Sequence, residues 1–393
     1  MYCDGSVVHP QFSVVDGVSV YTASDVQALS REVYSLLEGA PLDTPVIVSL
    51  PNSVELIATL VALIQHSRSC VLFPAGAGCA AFDQVQKSLA PSICITTDAM
   101  RGIFAGAVNG RSFGGPTYLV RALRLPAEGT NPRNGHGSAV YKVTSGSTGV
   151  PRVVAVERGA LALEGMNVCA ALDLSGADKV FVPVSLLHSY GFDLGFLASL
   201  HAGSTIVVGR KFTADVLRGA VQSGMTVFLG VPSMYEWFVR TANRDGDRAC
   251  LRQLRWMLSC SSPLRQDTIV KFQDLYETVI CQHYGTSETG ALTNQIKDQV
   301  LRRPASVGLP LPGVKLSFVD ELGDAASDQG YLVVTESGGM SSGYVSDMPV
   351  NSRTRFLPDG FHTGDRAWLD DSGFVYLCES GERGLKKQNY VRR

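Results

Sequence analysis

The chain has 393 residues, 45% of them hydrophobic and 18% charged, with 34 basic against 36 acidic side chains and a formal charge of −2. That composition supports a sizeable core, excludes a disordered chain, and suits two or three domains or one large α/β unit with an appendage. The near balance of charge disfavours nucleic acid and anionic membrane as main partners. The longest apolar stretch, Leu56–Ile64, falls far short of the ~20 residues that a spanning helix needs. An early Asp, and no basic segment ahead of an apolar run, argue against a secretory leader. Nine scattered cysteines with no CxxC pair form neither a zinc site nor a disulfide framework; they are expected as small buried hydrophobes in a reducing cytoplasm.

In chain order, Ala23–Leu37 has a helical pattern, and Val46–Leu50 is an apolar, β-branched run. Ser53–His66 is predicted as a helix that starts at Ser53 and Glu55, just after Pro51. Ser92–Thr96, Val180–Val184, Thr205–Val208 and Thr226–Val231 read as strands, with the helical stretch Ala214–Ser223 between the last two. This alternation predicts parallel sheets covered by helices. From about residue 305 Gly and Pro become dense and the runs shorten to Lys315–Val319, Gly330–Val334 and Gly373–Leu377. The expected architecture is α/β: two layered α/β subdomains with mostly parallel sheets over 1–304, plus a small antiparallel or β-barrel-like subdomain over 305–380. Residues 381–393 form a basic tail, expected as a solvated end or hinge stub.

The most informative segment is Val140–Arg152, VYKVTSGSTGVPR. An apolar run leads into Thr144, Ser145, Gly146, Ser147, Thr148 and Gly149, followed by Pro151 and the cation Arg152. Glycines let backbone N–H groups approach an anion, hydroxyls add donors, and a cation can neutralise phosphate charge. The GK[ST] ending of a nucleotide triphosphatase P-loop is missing, and no GxGxxG follows an early strand.

This segment resembles the phosphate loop of the adenylate-forming superfamily, which includes acyl- and aryl-CoA synthetases, nonribosomal peptide adenylation domains and luciferases, with Arg152 in place of Lys. Further matches follow in the family's order. Ser259–Leu264 (SCSSPL) is similar to an adenine-site segment, and Tyr284-Gly285-Thr286-Ser287-Glu288 to the YGxTE motif, with Ser287 for the customary Thr. Gly308–Gly313 is similar to a GxPxPG turn, and Thr363-Gly364-Asp365 to a TGD motif.

The resemblance implies the large N-terminal domain of such an enzyme, using ATP and Mg²⁺ to join a small carboxylic acid to AMP. The acceptor would be CoA or the phosphopantetheine of a carrier protein. It implies that Thr144–Gly149 and Arg152 hold the phosphates, that Glu288 ligates the metal, and that Ser287 touches the α-phosphate. Ser261, Ser262 and Pro263, with Gly285 and Thr286, would frame the nucleotide. Tyr284 would stack on adenine, and Asp365 and Arg383 would contact the ribose. Two anions must be brought together in this reaction, so the demand is for charge compensation and positioning.

After the strand at Val180–Val184, the family resemblance makes His188, Ser189, Tyr190, Gly191 and Asp193 the wall of an acid pocket, continued by Gly230, Val231 and Pro232. His188 takes the position of an aromatic gate or carboxylate contact. Asp193 has two readings: facing the pocket it would suit an amino-bearing acid, whereas facing solvent or starting a helix it would carry no information, and the second is favoured. The resemblance also leads us to expect a mobile C-terminal domain with a catalytic lysine beyond this stretch of sequence; Lys386 and Lys387 are hinge cations and not that lysine. The alternative to an enzyme is a nucleotide- or acyl-binding protein without turnover, or a partial enzyme that needs the missing domain in trans.

Overall fold

Every position of the strand Val46–Ser49 is buried, as a parallel strand covered on both faces requires. It belongs to one of three sheets in the computed structural model of the protein, which describes residues 7–125, 139–144, 151–241, 248, 251–345 and 354–378. The first sheet has nine strands. Its parallel centre runs, in spatial order, through Cys281–Thr286, Trp256–Ser259, Val227–Gly230, Lys179–Val182, Thr205–Val208 and Ser13–Asp16. The second sheet has eight, with Ala139–Thr144, Cys70–Leu72, Val46–Ser49 and Ile93–Thr96 as its parallel centre. Arg152–Glu157 adds antiparallel beside Ala139–Thr144, placing Arg152 opposite Thr144.

The third sheet has six strands and is antiparallel throughout, built around Lys315–Val319, Gln329–Glu336 and Gly360–Leu369. It corrects the barrel-like expectation. Among the described residues its path runs open from Ala325–Ala326 to Arg355–Leu357, and no pairing joins the two ends. Two strands of the 305–380 region leave it altogether: Leu309–Pro310 joins the first sheet, and Gly343–Tyr344 joins the second beside Arg152–Glu157.

The helices start where short polar side chains can cap them. Thr22 and Asp25 form a reciprocal capping box for Ala23–Ser35, and Ser53 Oγ accepts from Leu56 N for Val54–Gln65. Every residue from Val54 to Leu63 is buried, so this helix is enclosed all round.

The turn just before that helix joins the two large sheets. Asn52 Nδ2 donates to the carbonyls of Val182 (3.2 Å), Val184 (2.7 Å) and Gly209 (2.9 Å), and its Oδ1 accepts from Leu186 N at 2.9 Å. Asp16 adds a second tie: its Oδ2 accepts from Val54 N and Thr117 Oγ1, and its Oδ1 pairs with Arg210. In N52A the Val182 carbonyl keeps the Gly209 N–H, but Val184 O, Gly209 O and Leu186 N lose the Asn52 side chain, each loss worth about 1–3 kcal/mol. A lower urea midpoint, corresponding to a loss of about 3 kcal/mol or more, is the expected outcome.

Candidate active site

Four strands of the first sheet end side by side, and the segments singled out from the sequence leave from their C-terminal ends. Residues 185–193 follow Lys179–Val182, Val231 and Pro232 follow Val227–Gly230, and Cys260–Pro263 follow Trp256–Ser259. The strand Cys281–Thr286 delivers Ser287 and Glu288. Ligands of open parallel sheets bind at this edge.

Three links hold these segments, the first to one another and the other two to the second and third sheets. Ser189 Oγ donates to Ser287 Oγ at 2.8 Å, which brings the acid-pocket segment onto the Tyr284–Glu288 turn. Tyr344 Oη donates to Glu288 Oε1 at 2.6 Å, and Arg152 Nη1 donates to the same Tyr344 oxygen at 3.2 Å. Arg152 Nη1 also donates to Thr354 Oγ1. An unbroken path therefore leads from Thr144 and Arg152, paired across the strand ladder, through Tyr344 and Glu288 to Ser287 and Ser189. In the third link, Tyr284 Oη donates to Asp365 Oδ2 at 2.6 Å, while the Tyr284 ring packs into the apolar cluster of the third sheet with Leu292, Phe318 and Leu332.

Electrostatically the site is rich in acid. Loss of water raises the pKa of Asp365, and nearby Glu288 adds to the rise against the opposing hydrogen bond from Tyr284. Burial likewise pushes Tyr284 well above the ordinary phenol value. His188 is exposed, yet the surrounding protein displaces enough water to lower its imidazole below the usual value. His283, buried and stacked on Tyr190, is pushed down to about 4 by burial.

Two observations bear on whether these residues suit a nucleotide with its metal. Thr144 Oγ1, at the end of its strand, is a buried hydroxyl with no partner among the described residues. Glu288 Oε1 accepts from Tyr344 while Oε2 takes no hydrogen bond among the described residues, and Thr286 and Ser287 supply hydroxyls at the two preceding positions. An all-oxygen set of this kind fits a hard divalent cation. Among the described residues no group of three or more His, Cys, Asp or Glu side chains could hold a metal alone, so substrate oxygens would have to complete the shell.

The predicted residues divide as follows. Thr144, Arg152, His188, Ser189, Tyr284, Gly285, Thr286, Ser287, Glu288 and Asp365 lie on or beside this edge. Ser261, Ser262 and Pro263 are exposed at it. Ser145–Gly149 and Arg383 lie outside the described residues. Tyr190 is buried and donates to Leu258 O at 3.2 Å, the carbonyl that Tyr235 Oη also reaches at 2.7 Å. The two pocket glycines have packing reasons: a β-carbon at Gly191 would strike the Ser185 carbonyl, and one at Gly230 would press on the rings of Tyr235 and Phe228. Pro232 is buried as the first residue of the helix Pro232–Thr241.

Asp193 is corrected. It lies in the first turn of a helix, the π-helical segment Gly191–Leu197, but it faces neither solvent nor an open pocket. Only 2% exposed, it accepts from Lys142 Nζ with both oxygens at 2.8 Å. Lys142, Glu164 and Tyr344 are the residues that sequence reasoning passed over. A lysine inside the apolar strand VYKV is the one signal that could have marked the first of them.

Residues 8–345 match the family model described as AMP-binding enzyme, and the chain belongs to that family. It is 27% identical over 239 residues to an indoleacetate–CoA ligase of Aromatoleum aromaticum, covering 60% of this chain and 46% of the relative. It is 24% identical over 245 residues to an oxalate–CoA ligase of Arabidopsis thaliana, covering 61% and 47%. The chain thus spans about half the length of the curated relatives it matches. Apo MatB from Rhodopseudomonas palustris shares the fold with a TM-score of 0.78 at 22% identity, covering 97% of this chain and 77% of that one. No helix among the described residues is long and apolar enough to cross a membrane.

Two predictions follow from local geometry. Ser261 holds φ +76°, a conformation that costs an L-residue about 1–2 kcal/mol. S261G relieves the strain at some cost in unfolded-state entropy, so a net gain of about 0.5–1 kcal/mol in chemical denaturation is expected. The lowered pKa of His283 means that the unfolded chain takes up the proton first as pH falls. Stability should therefore drop from pH ~6.5 towards ~4, by about 3 kcal/mol in all, and H283Q should flatten that part of the stability–pH curve.

Proposed function

We propose that the protein activates a small carboxylic acid with ATP, forming an acyl-adenylate with release of pyrophosphate, and passes the acyl group to the thiol of CoA. The observation that carries this reading is the continuous path Thr144/Arg152–Tyr344–Glu288–Ser287–Ser189, which ties the flanks of a phosphate-loop sequence to an acid-pocket sequence. Family membership and the CoA ligases among its relatives support the same chemistry. Those relatives name acids as different as indoleacetate and oxalate, so the acid itself is left to experiment. The phosphopantetheine of a carrier protein offers the same kind of thiol and belongs in the test.

In this reading a carboxylate oxygen attacks the α-phosphorus, and the bond from that phosphorus to the bridging oxygen breaks. Magnesium, held by Glu288 with the hydroxyls beside it, would supply neutralisation of the triphosphate. Tyr344 fixes Glu288 by occupying Oε1, which leaves Oε2 for the ion, and Arg152 holds the Tyr344 hydroxyl from its other side. Ser287 presents its hydroxyl to the α-phosphate with Ser189 as its support. Asp365, steadied by Tyr284, offers its exposed side to the ribose hydroxyls. Tyr284, with Gly285 and Ser261–Pro263, frames the adenine. No group on the protein needs to become a nucleophile.

The test is acid-dependent pyrophosphate–ATP exchange and hydroxamate formation over a panel of short aliphatic, dicarboxylic and aryl acids, followed by thiol capture with CoA and with phosphopantetheine. Exchange with at least one class is expected, and E288Q should lower it about 100-fold or more. Nucleotide binding with silence across the panel would instead support the binding-protein alternative.

A further inference from the structure

One charged cluster beneath the site takes no part in the steps above. Lys142 lies on Ala139–Thr144, and strand alternation turns it to the same side as Thr144, whose hydroxyl has no partner among the described residues. Its ammonium meets both Asp193 oxygens and stands 5.7 Å from the Phe192 ring centroid, with Lys142 and Asp193 each 2% exposed. Asp193 is the third residue of the helix Gly191–Leu197, which directly follows His188–Tyr190. Glu164, from the helix Arg158–Leu172, completes the cluster and accepts from Ala291 N at 2.6 Å, three residues past Glu288. Burial and the nearby Asp193 both raise the pKa of Glu164.

A buried ion pair is a poor source of stability, because apolar residues of similar volume often do as well. It is effective at holding register. If the helix at 191–197 slides against the strand at 139–144, a charge is left unpaired in a dry interior. We propose that Lys142 is a positioning residue: through Asp193 it couples the strand ending at Thr144 to the helix of the acid-pocket segment, so that nucleotide bound at the strand end orders the segment that receives the acid. The inference rests on the adenylating reading, of which it needs only the nucleotide-binding half.

Hydrogen–deuterium exchange of the full chain with and without Mg-ATP, alongside calorimetric ATP binding and thermal unfolding, separates the outcomes. In the wild type, ATP should slow exchange at 139–144 and, by about five-fold or more, at 188–197. In K142M the first effect should persist and the second should be lost, with D193N giving the same comparison if K142M does not fold. A lowered Tm with ATP-induced protection of 188–197 retained would mean a merely structural role and would overturn the proposal. So would absence of that protection in the wild type. Failure of the wild type to bind ATP at all would overturn the nucleotide-binding reading, a different result from bound ATP whose effect stops at residue 144.

Discussion

One buried amide sets how the two large sheets meet. Asn52 Nδ2 has two hydrogens and serves three carbonyls of the first sheet, while its oxygen takes the Leu186 N–H at the start of the acid-pocket segment. The turn that carries it belongs to the second sheet, so the C-terminal ends of both sheets are fixed relative to each other where their motifs emerge. Asp16 repeats the tie with charge, binding Val54 N and Thr117 from one sheet's layer and Arg210 from the other's. The hydrogen-bonded path from Thr144 to Ser189 crosses the same junction, and its 2.6–3.2 Å links hold only while the two sheets keep their relative position.

Acid outweighs base at this edge and in the cluster beneath it. Glu288, Asp365, Glu164 and Asp193 are set against Lys142 and Arg152. Lys142 is already held by Asp193, and Arg152 is hydrogen-bonded to Tyr344 and Thr354. Among these described side chains four carboxylates stand against two cations, and both cations already have partners. This also explains why the pKa of Asp365 is raised: it shares a partly dry site with Glu288.

Much of the fold was legible, and for identifiable reasons. Val46–Leu50, Thr205–Val208 and Lys315–Val319 announce themselves because strands buried on one or both faces need uninterrupted or alternating apolar residues, and helix starts such as Ser53 carry their own caps. What a single sequence hides is pairing over distance. Lys142 and Asp193 lie 51 positions apart, and Tyr284 and Asp365 lie 81 apart. Lys142 apart, each is unremarkable in its own segment: Asp193 reads as a solvated acid until its partner is known. Closure of the third sheet was hidden for the same reason, since short runs between Gly and Pro set strand length but not whether the last strand finds the first.

The placement of Ser13–Asp16 has a consequence for how the chain reaches this structure. That strand is parallel to Thr205–Val208, and Ser13 Oγ meets Thr205 Oγ1 across 192 positions. All of the second sheet's parallel centre is made in between. At roughly 5–20 residues per second, the ribosome needs about 10–40 s to supply the partner of a strand made 192 residues earlier. During that interval Val14, fully buried in the finished sheet, has no interior of its own to enter. The second sheet can gather its parallel strands first, and the N-terminal strand must wait at its border until the first sheet arrives to take it in.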